Sequence, residues 1–374
     1  MVKLNKLASF VLLLASLILI LSMSAGCSGT TTTSNRFLEL MNMVPAAAPS
    51  ASSPAYYTLS DYASLYQDYG ITFTNFNDLT TQLKNNRVAL NLIVGGSDIT
   101  GWGKYAEHAT IQEKYVGYDV SNIDAEIQFG QPPKNGVAAI GRFDPRATKN
   151  AFSNRDEWPS WAKDSYTTED YRGVTIHSWG DGLAIHLKDS LKPPHIDNLG
   201  RAWPLAVTDK YLFYASSVET IKLMIDASQD KGQSLADKKE YAAVANGLAD
   251  LKAYGAMMGE GTLANPSFSG NNIGPRLKKF LTFGSGPGRD EKGTYTAIVI
   301  YHENSKYAQE NVTLLKQRVE NGNSLSYLKP WSEIITKTDI KAEGNVLLAR
   351  LYTTSPELWE RWVSTKDNLL LHEE

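Results

Sequence analysis

Cys27 is the one cysteine in a chain of 374 residues. Everything beyond it must therefore hold together without a disulfide framework and without a thiolate metal site. The length allows one large or two modest domains, each able to bury a sizeable core. The supply of large side chains suits that task, with 19 Tyr and 8 Trp. The net charge is −3, and losing Lys3 and Lys6 with a leader would make it more negative. That balance points away from nucleic acid, for which a basic face is expected.

The cysteine ends a leader-like stretch. Lys3 and Lys6 give a basic start, Leu7 to Met23 is almost wholly apolar, and Ser24-Ala25-Gly26 are small. A basic start, an apolar run and small residues before a cut describe a secretory signal. The apolar run also approaches the roughly 18–20 residues that span a bilayer, so an uncleaved anchor is the alternative. Ser24-Ala25-Gly26-Cys27 resembles the lipobox of bacterial lipoproteins, departing from it at Ser24, where that family usually has Leu. The resemblance implies cleavage before Cys27, a diacylglycerol on its thiol, and a body held outside the cytosol on the cell membrane. Two acyl chains suffice for stable anchoring where one does not.

On this reading residues 1–26 are a lipoprotein signal peptide and 27–55 a lipidated cysteine with a flexible tether. Ser28 to Ser34 is small and polar, Phe37 to Met43 could form a short helical turn, and Pro45, Pro49 and Pro54 interrupt regular pairing. A first α+β half is expected over 56–200 and a second over 201–374. Helices are expected over Leu59–Tyr69, Asn77–Asn85, Arg146–Phe152, Val218–Ala227, Tyr241–Leu248 and Ser305–Asn321, with a final one from Thr354. Strands are expected over Val88–Val94, Val137–Phe143, Trp203–Val207, Tyr211–Ser216, Thr294–Tyr301 and Val346–Tyr352. Asp181-Gly182 predicts a hairpin over Arg172–Leu187. Gly259–Gly293 reads as a long loop with a short helix over Pro275–Leu281.

Two places echo each other. Ser216-Ser217-Val218-Glu219, a capping-box spacing on Ser216, precedes the stripe Ile221, Met224 and Ile225. Thr354-Ser355-Pro356-Glu357 precedes Trp359, Trp362 and Val363 in the same way. The fold class that follows is α+β, a mainly antiparallel sheet with helices on one face and two similar halves. Gly141-Arg142-Phe143-Asp144 and Val207-Thr208-Asp209-Lys210-Tyr211 also look like segments of uncharacterised bacterial extracytoplasmic lipoprotein families, a resemblance that implies no activity.

Candidate chemistry is sparse. In the hairpin turned at Asp181-Gly182, His177 and His186 would face each other on the wet side and could begin a zinc or copper site. Three or four ligands are needed, with His195 and Glu169 the nearest further candidates. Trp158-Pro159-Ser160-Trp161 sets two indoles about a turn, able either to stack on a ligand or to clamp a loop. Gly284-Ser285-Gly286-Pro287-Gly288 lacks the Lys and Ser/Thr of a phosphate loop and reads as surface loop. Asp119, Asp124, Glu169 and Asp170 could pair for glycoside chemistry only if brought close. No Gly-x-Ser-x-Gly or His-Glu-x-x-His occurs. The expectation is a lipid-anchored, non-catalytic binding or scaffold module at the cell envelope, with no cofactor. Its partners would be the membrane, through the lipid on Cys27, and an envelope protein or small ligand. A transporter-linked solute receptor or an envelope hydrolase are the alternatives.

Overall fold

Phe37, Leu40 and Met41 recur at helical spacing and bury one side of helix α1 (Arg36–Asn42). Asn35 caps it, its side chain accepting from the amides of Phe37 and Leu38 at 3.1 and 3.2 Å. The tether expected over 27–55 is thus too long: residues 35–44 belong to the folded body, with Met43 and Val44 also in the core. The computed structural model describes residues 35–48, 56–93, 109–131, 134–190, 192–194, 199–265, 273–355 and 357–373. The leader, Cys27 and the first part of the tether lie outside them.

The centre of the molecule is a twelve-stranded sheet in which every neighbouring pair is antiparallel. Its first strands are β1 (Tyr57–Asp61), β2 (Ile123–Gln131), β3 (Lys134–Gly141), β4 (Tyr166–Tyr171), β5 (Val174–Trp179), β6 (Leu205–Val207) and β7 (Tyr211–Ala215). The second set begins with β8 (Gly255–Glu260), β9 (Thr282–Asp290) and β10 (Gly293–Tyr301). After a separate small pair, β11 (Asn323–Ser324) and β12 (Lys329–Pro330), come β13 (Ile335–Glu343) and β14 (Val346–Thr353). From the central β1–β8 pair outward, the order is β1-β2-β3-β7-β6 on one side and β8-β9-β10-β14-β13 on the other. Strands β5 and β4 extend the first side. The two halves therefore share a strand order. Their boundary falls after β7 and the helix that follows it, not at 200/201, because β7 pairs with β3.

Between β1 and β2 lie α2 (Tyr62–Asp68), α3 (Phe76–Asn85), α4 (Arg87–Asn91) and α5 (Ala109–Val116). Then come α6 (Pro145–Ser153) and α7 (Ser160–Ser165), and after β7, α8 (Val218–Ser228) and α9 (Lys239–Asp250). The chain closes with α10 (Ser305–Asn321), α11 (Trp331–Ile334) and α12 (Leu358–Ser364). The helices cover both faces rather than one, because the strands are apolar on both sides. On β3, Ala138 and Ile140 join one core and Val137 and Ala139 another. Helices α1, α8 and α9 share the first face, over one apolar cluster that crosses both halves. The opposite face carries two clusters: α2, α3, α6 and α7 over the first half, α10, α11 and α12 over the second.

Several local expectations change for physical reasons. Leu59–Tyr69 is not one helix: Thr58 to Ser60 pair with both β2 and β8, and α2 starts at Tyr62 on the Asp61 cap. Val88 to Ile93 of the strand expected over Val88–Val94 do not form one, since Asn86 caps α4 there, and Val94 lies outside the described residues. Ser217, not Ser216, caps α8, accepting from the Thr220 amide at 3.2 Å. Pro275–Leu281 forms no helix. The glycine-rich segment 284–288 is no loop but the middle of β9, paired on both sides and buried. Its glycines are demanded by crowding. A Cβ on Gly286 would stand 1.8 Å from the Gly255 carbonyl oxygen, and one on Gly288 would enter the Tyr295 ring.

Candidate functional site

Chemistry-bearing residues gather around β5. Its hairpin partner is β4, joined through Arg172-Gly173, not through Asp181-Gly182. Both turn residues have positive φ, 49° and 80°, the type I′ geometry that matches strand twist. Asp226 of α8 holds the turn: it accepts from Arg172 and from the Tyr171 hydroxyl, the latter at 3.0 Å. Residues Leu187–Asp189 form a 3-10 turn rather than a return strand.

The histidine pair is consequently not formed. His177 lies on the face of β5 covered by α6 and α7, and it is buried. Its Nδ1 shares a 2.8 Å hydrogen bond with the Tyr166 hydroxyl, and its ring packs 4.8 Å from Phe152. Burial pushes its pKa down to about 4, with nearby Lys149 adding to the effect and Asp170 opposing it. His186 is elsewhere, stacked on the Trp161 indole at 3.7 Å and 9°. Glu169 pairs with Lys222 at 2.7 Å, and His195 lies outside the described residues. Among the described residues, no group of three His, Cys, Asp or Glu is placed to hold a metal.

The two indoles divide the roles weighed for them. Trp158 is a core residue, edge-on to Phe152 and Tyr166 at 5.6 and 5.5 Å. Trp161 is half-buried and clamps a loop: it stacks on His186 and donates from Nε1 to Asp189 at 3.0 Å. Trp331, Trp359 and Trp362 are core, the last two on the inner stripe of α12.

The carboxylates do not converge. Asp119 accepts from the Ser121 amide, Asp124 pairs with Arg142 at 3.2 Å, and Asp170 accepts from the Thr175 hydroxyl at 2.7 Å. Glu169 and Asp170 are successive residues of a strand, so they point to opposite faces. Burial raises the Asp124 pKa, with Arg142 opposing it.

Beside β5 open two shallow clefts. One, of about 480 Å³, lies between the 180–183 segment and the start of α8, with Gly182, Ser217 and Thr220 in its lining. The other, of about 330 Å³, lies between α6, β5 and the turn after β6, with Thr148, Lys149, His177 and Thr208 in its lining. The two short segments singled out earlier, 141–144 and 207–211, meet at this second cleft. Gly141 donates its amide to Lys210 and Phe143 donates to Asp209, at 3.0 and 3.1 Å. Asp144 then caps α6 through the Arg146 amide, and Pro145 takes the first helical position. Thr148 and Lys149 were not anticipated as site residues. Their place four and five residues into a capped helix gave the only signal.

These features define an α+β protein with one continuous antiparallel sheet and small, shallow clefts beside β5. No helix of the described residues is long and apolar enough to cross a membrane. No family model and no curated protein sequence matches the chain. Among solved structures, crystal form I of TP0453 overlaps it with a TM-score of 0.39 at 9% identity, covering 87% of this chain and 96% of that one. Crystal forms III and IV of TP0453 give 0.38 at 10% identity. A likeness of this extent assigns no function.

Proposed function

We propose that the chain is a lipid-anchored extracytoplasmic protein, attached through Cys27, whose α+β body is a non-catalytic binding module at the cell envelope. The observation that carries this reading is the lipobox-like Ser24-Ala25-Gly26-Cys27 behind a basic start and an apolar run. The fold adds a length to it. Only Ser28 to Ser34 separate the cysteine from the cap of α1, and seven extended residues reach about 25 Å at most. The body would then sit close to the bilayer that holds its lipid.

The solute-receptor alternative calls for two lobes around a deep cleft. Here the halves are fused edge to edge through β1 and β8 into one sheet, and the shallow clefts lie beside β5. The hydrolase alternative calls for acids or histidines gathered in a pocket, whereas the acids described above are engaged in separate pairs.

Metabolic labelling with a palmitate analogue tests the anchor. Wild-type protein should take up label and partition with membranes, and Cys27→Ala should do neither. An unmodified thiol on a full-length polypeptide, leader still attached, would end this reading.

A further inference from the structure

We propose that two copies of this chain associate through the outer edge of β13, pairing antiparallel about Ile340 so that their sheets become continuous. The proposal does not depend on the anchor at Cys27. It rests on the order of charges along one strand. Strand β13 ends the sheet, and among the described residues β14 is its only strand partner. An edge strand offers a row of amides and carbonyls to any strand that fits it. From Lys337 to Glu343 the register with β14 is regular, and the irregularity near Ile335 lies outside that stretch. Lys337, Asp339, Lys341 and Glu343 alternate in sign along one face of the strand and are exposed.

The hairpin fixes which backbone groups are free. Glu343 stands opposite Val346 across the two-residue turn Gly344-Asn345. Residues that flank such a turn form a hydrogen-bonded pair, and bonded and open pairs then alternate along the strands. Thr338, Ile340 and Ala342 therefore turn their amides and carbonyls outward. A second copy answers them only with the same residues of its own strand. Centring the pair on Ile340 does this: Ile340 meets Ile340, and Thr338 meets Ala342 of the second copy. In that register Lys337 meets Glu343 and Asp339 meets Lys341, each twice by symmetry. Opposite charges directly across a strand pair stabilise it, and like charges oppose it. The adjacent registers that also match outward groups fail on this count. Centred on Asp339, that residue meets itself and Lys337 meets Lys341. Centred on Lys341, that residue meets itself and Asp339 meets Glu343.

In a single copy these charges are held lightly. Lys341 pairs with its own Glu343 at 2.6 Å and Asp339 with Arg350 at 3.9 Å, and the charges of β13 are open to solvent. Exposed pairs of this kind contribute little, so they are free to be shared across a new edge. The opposite edge of the sheet lacks the pattern, since β4 carries Glu169 and Asp170 and no cation. The partner that this sequence of signs fits is a second copy of the same strand. The two-fold axis of such a pair stands perpendicular to the sheet, so both copies turn the face that carries α1 to the same side. Two chains tethered to one bilayer can meet in that way without either turning over.

Sedimentation velocity of the full chain in dodecyl maltoside micelles, over a range of protein concentrations, tests the edge. Wild-type protein should pass from monomer to dimer as its concentration rises. Asp339→Lys and Lys341→Asp should each weaken the dimer about tenfold, because each sets like charges opposite one another at two symmetry-related points. An equimolar mixture of the two single variants should form dimers as tight as wild type, and so should the double variant Asp339→Lys/Lys341→Asp. Recovery in the mixture cannot come from misfolded chains, which separates lost pairing from lost folding. Wild-type protein that stays monomeric at every concentration overturns the proposal. Single variants that dimerise as tightly as wild type, as they would if two chains merely shared a micelle, overturn it as well. A mixture that does not recover overturns the register and with it the proposal.

Discussion

The first half of the sheet is covered on one face by α8, while in the second half the matching side of the outer strand β13 is exposed. Both helices follow a hairpin with the same sequence echo, yet they go to opposite faces. Ile221, Met224 and Ile225 of α8 pack with Val174, Ile176 and Phe213. Leu358, Trp362 and Val363 of α12 pack with Phe283 and Ile298 on the other side. The reason lies in what separates the first two strands of each half. Between β1 and β2 the chain inserts α2 to α5, whose Tyr62, Tyr66, Leu79 and Leu83 cover that face. Between β8 and β9 the described residues supply only a 3-10 turn, Gly261–Ala264. Helix α12 fills the corresponding place. The face it leaves is closed chemically instead. On β13, Lys337, Asp339, Lys341 and Glu343 all project there and are exposed. Charge on an edge strand also discourages pairing with strands of other sequence. A repeated capping pattern thus shows that a helix forms, and the free space around it decides where it lands.

The largest effect should come from removing the substitute cover. Trp362 is buried, lies 5.4 Å from the Phe283 ring and donates from Nε1 to Ser285 at 2.8 Å. Trp362→Ala should cost about 3–5 kcal/mol in chemical denaturation. Hydrogen exchange should then speed up in β8 to β10 more than in β2 and β3. Equal loss of protection across both halves would show that the comparison has no energetic counterpart.

Acid comes next. Each half buries a neutral histidine, His177 in the first and His302 in the second, and burial lowers both pKa values from 6.5 to about 4. Below about pH 6.5 the unfolded chain binds protons that the folded one refuses. The stability these sites hold above pH 6.5 should therefore drain away as pH falls toward 4, by up to about 3 kcal/mol each. Melting curves at pH 7 and pH 5 measure it. His177→Phe and His302→Phe should each flatten the profile in part. A profile unchanged by either variant would mean that the acid response has another origin.

The smallest effect belongs to the charged face. Asp339→Ala removes a pair with Arg350 that is 3.9 Å long and open to solvent. Stability should move by no more than about 0.5 kcal/mol. A loss above about 1 kcal/mol would show that this face is covered after all.

Much of the fold was legible in the sequence where two signals agree. The strand Thr294–Tyr301 and the helix Ser305–Asn321 are marked by apolar patterning on each side of an Asn304 cap. Legibility failed where one signal was missing or misleading. Asp181-Gly182 is the stronger turn dipeptide, but Arg172 adopts the positive φ because Asp226 anchors its side chain. Strand β9 offers no side-chain pattern over its glycines, whose cause is the close approach of β8 and Tyr295. At the cleft, His177 was visible as a chemical group, but its face was taken as wet because nothing local shows that Phe152 of α6 lies over it. The Thr148 hydroxyl is buried without a hydrogen bond among the described residues, a property of packing that cannot be read from its neighbours in sequence.

The middle of the sheet has a consequence for assembly. Strand β1 pairs with β8 by Tyr57↔Met258 through Ser60↔Gly255, so the keystone of the structure joins segments about two hundred residues apart in the sequence. While the chain is being made or threaded, the early strands can zip together, but one flank of Tyr57–Asp61 keeps its amides and carbonyls open until Gly255–Glu260 arrives. Such late, distant pairing slows maturation and leaves an adhesive border exposed in the meantime.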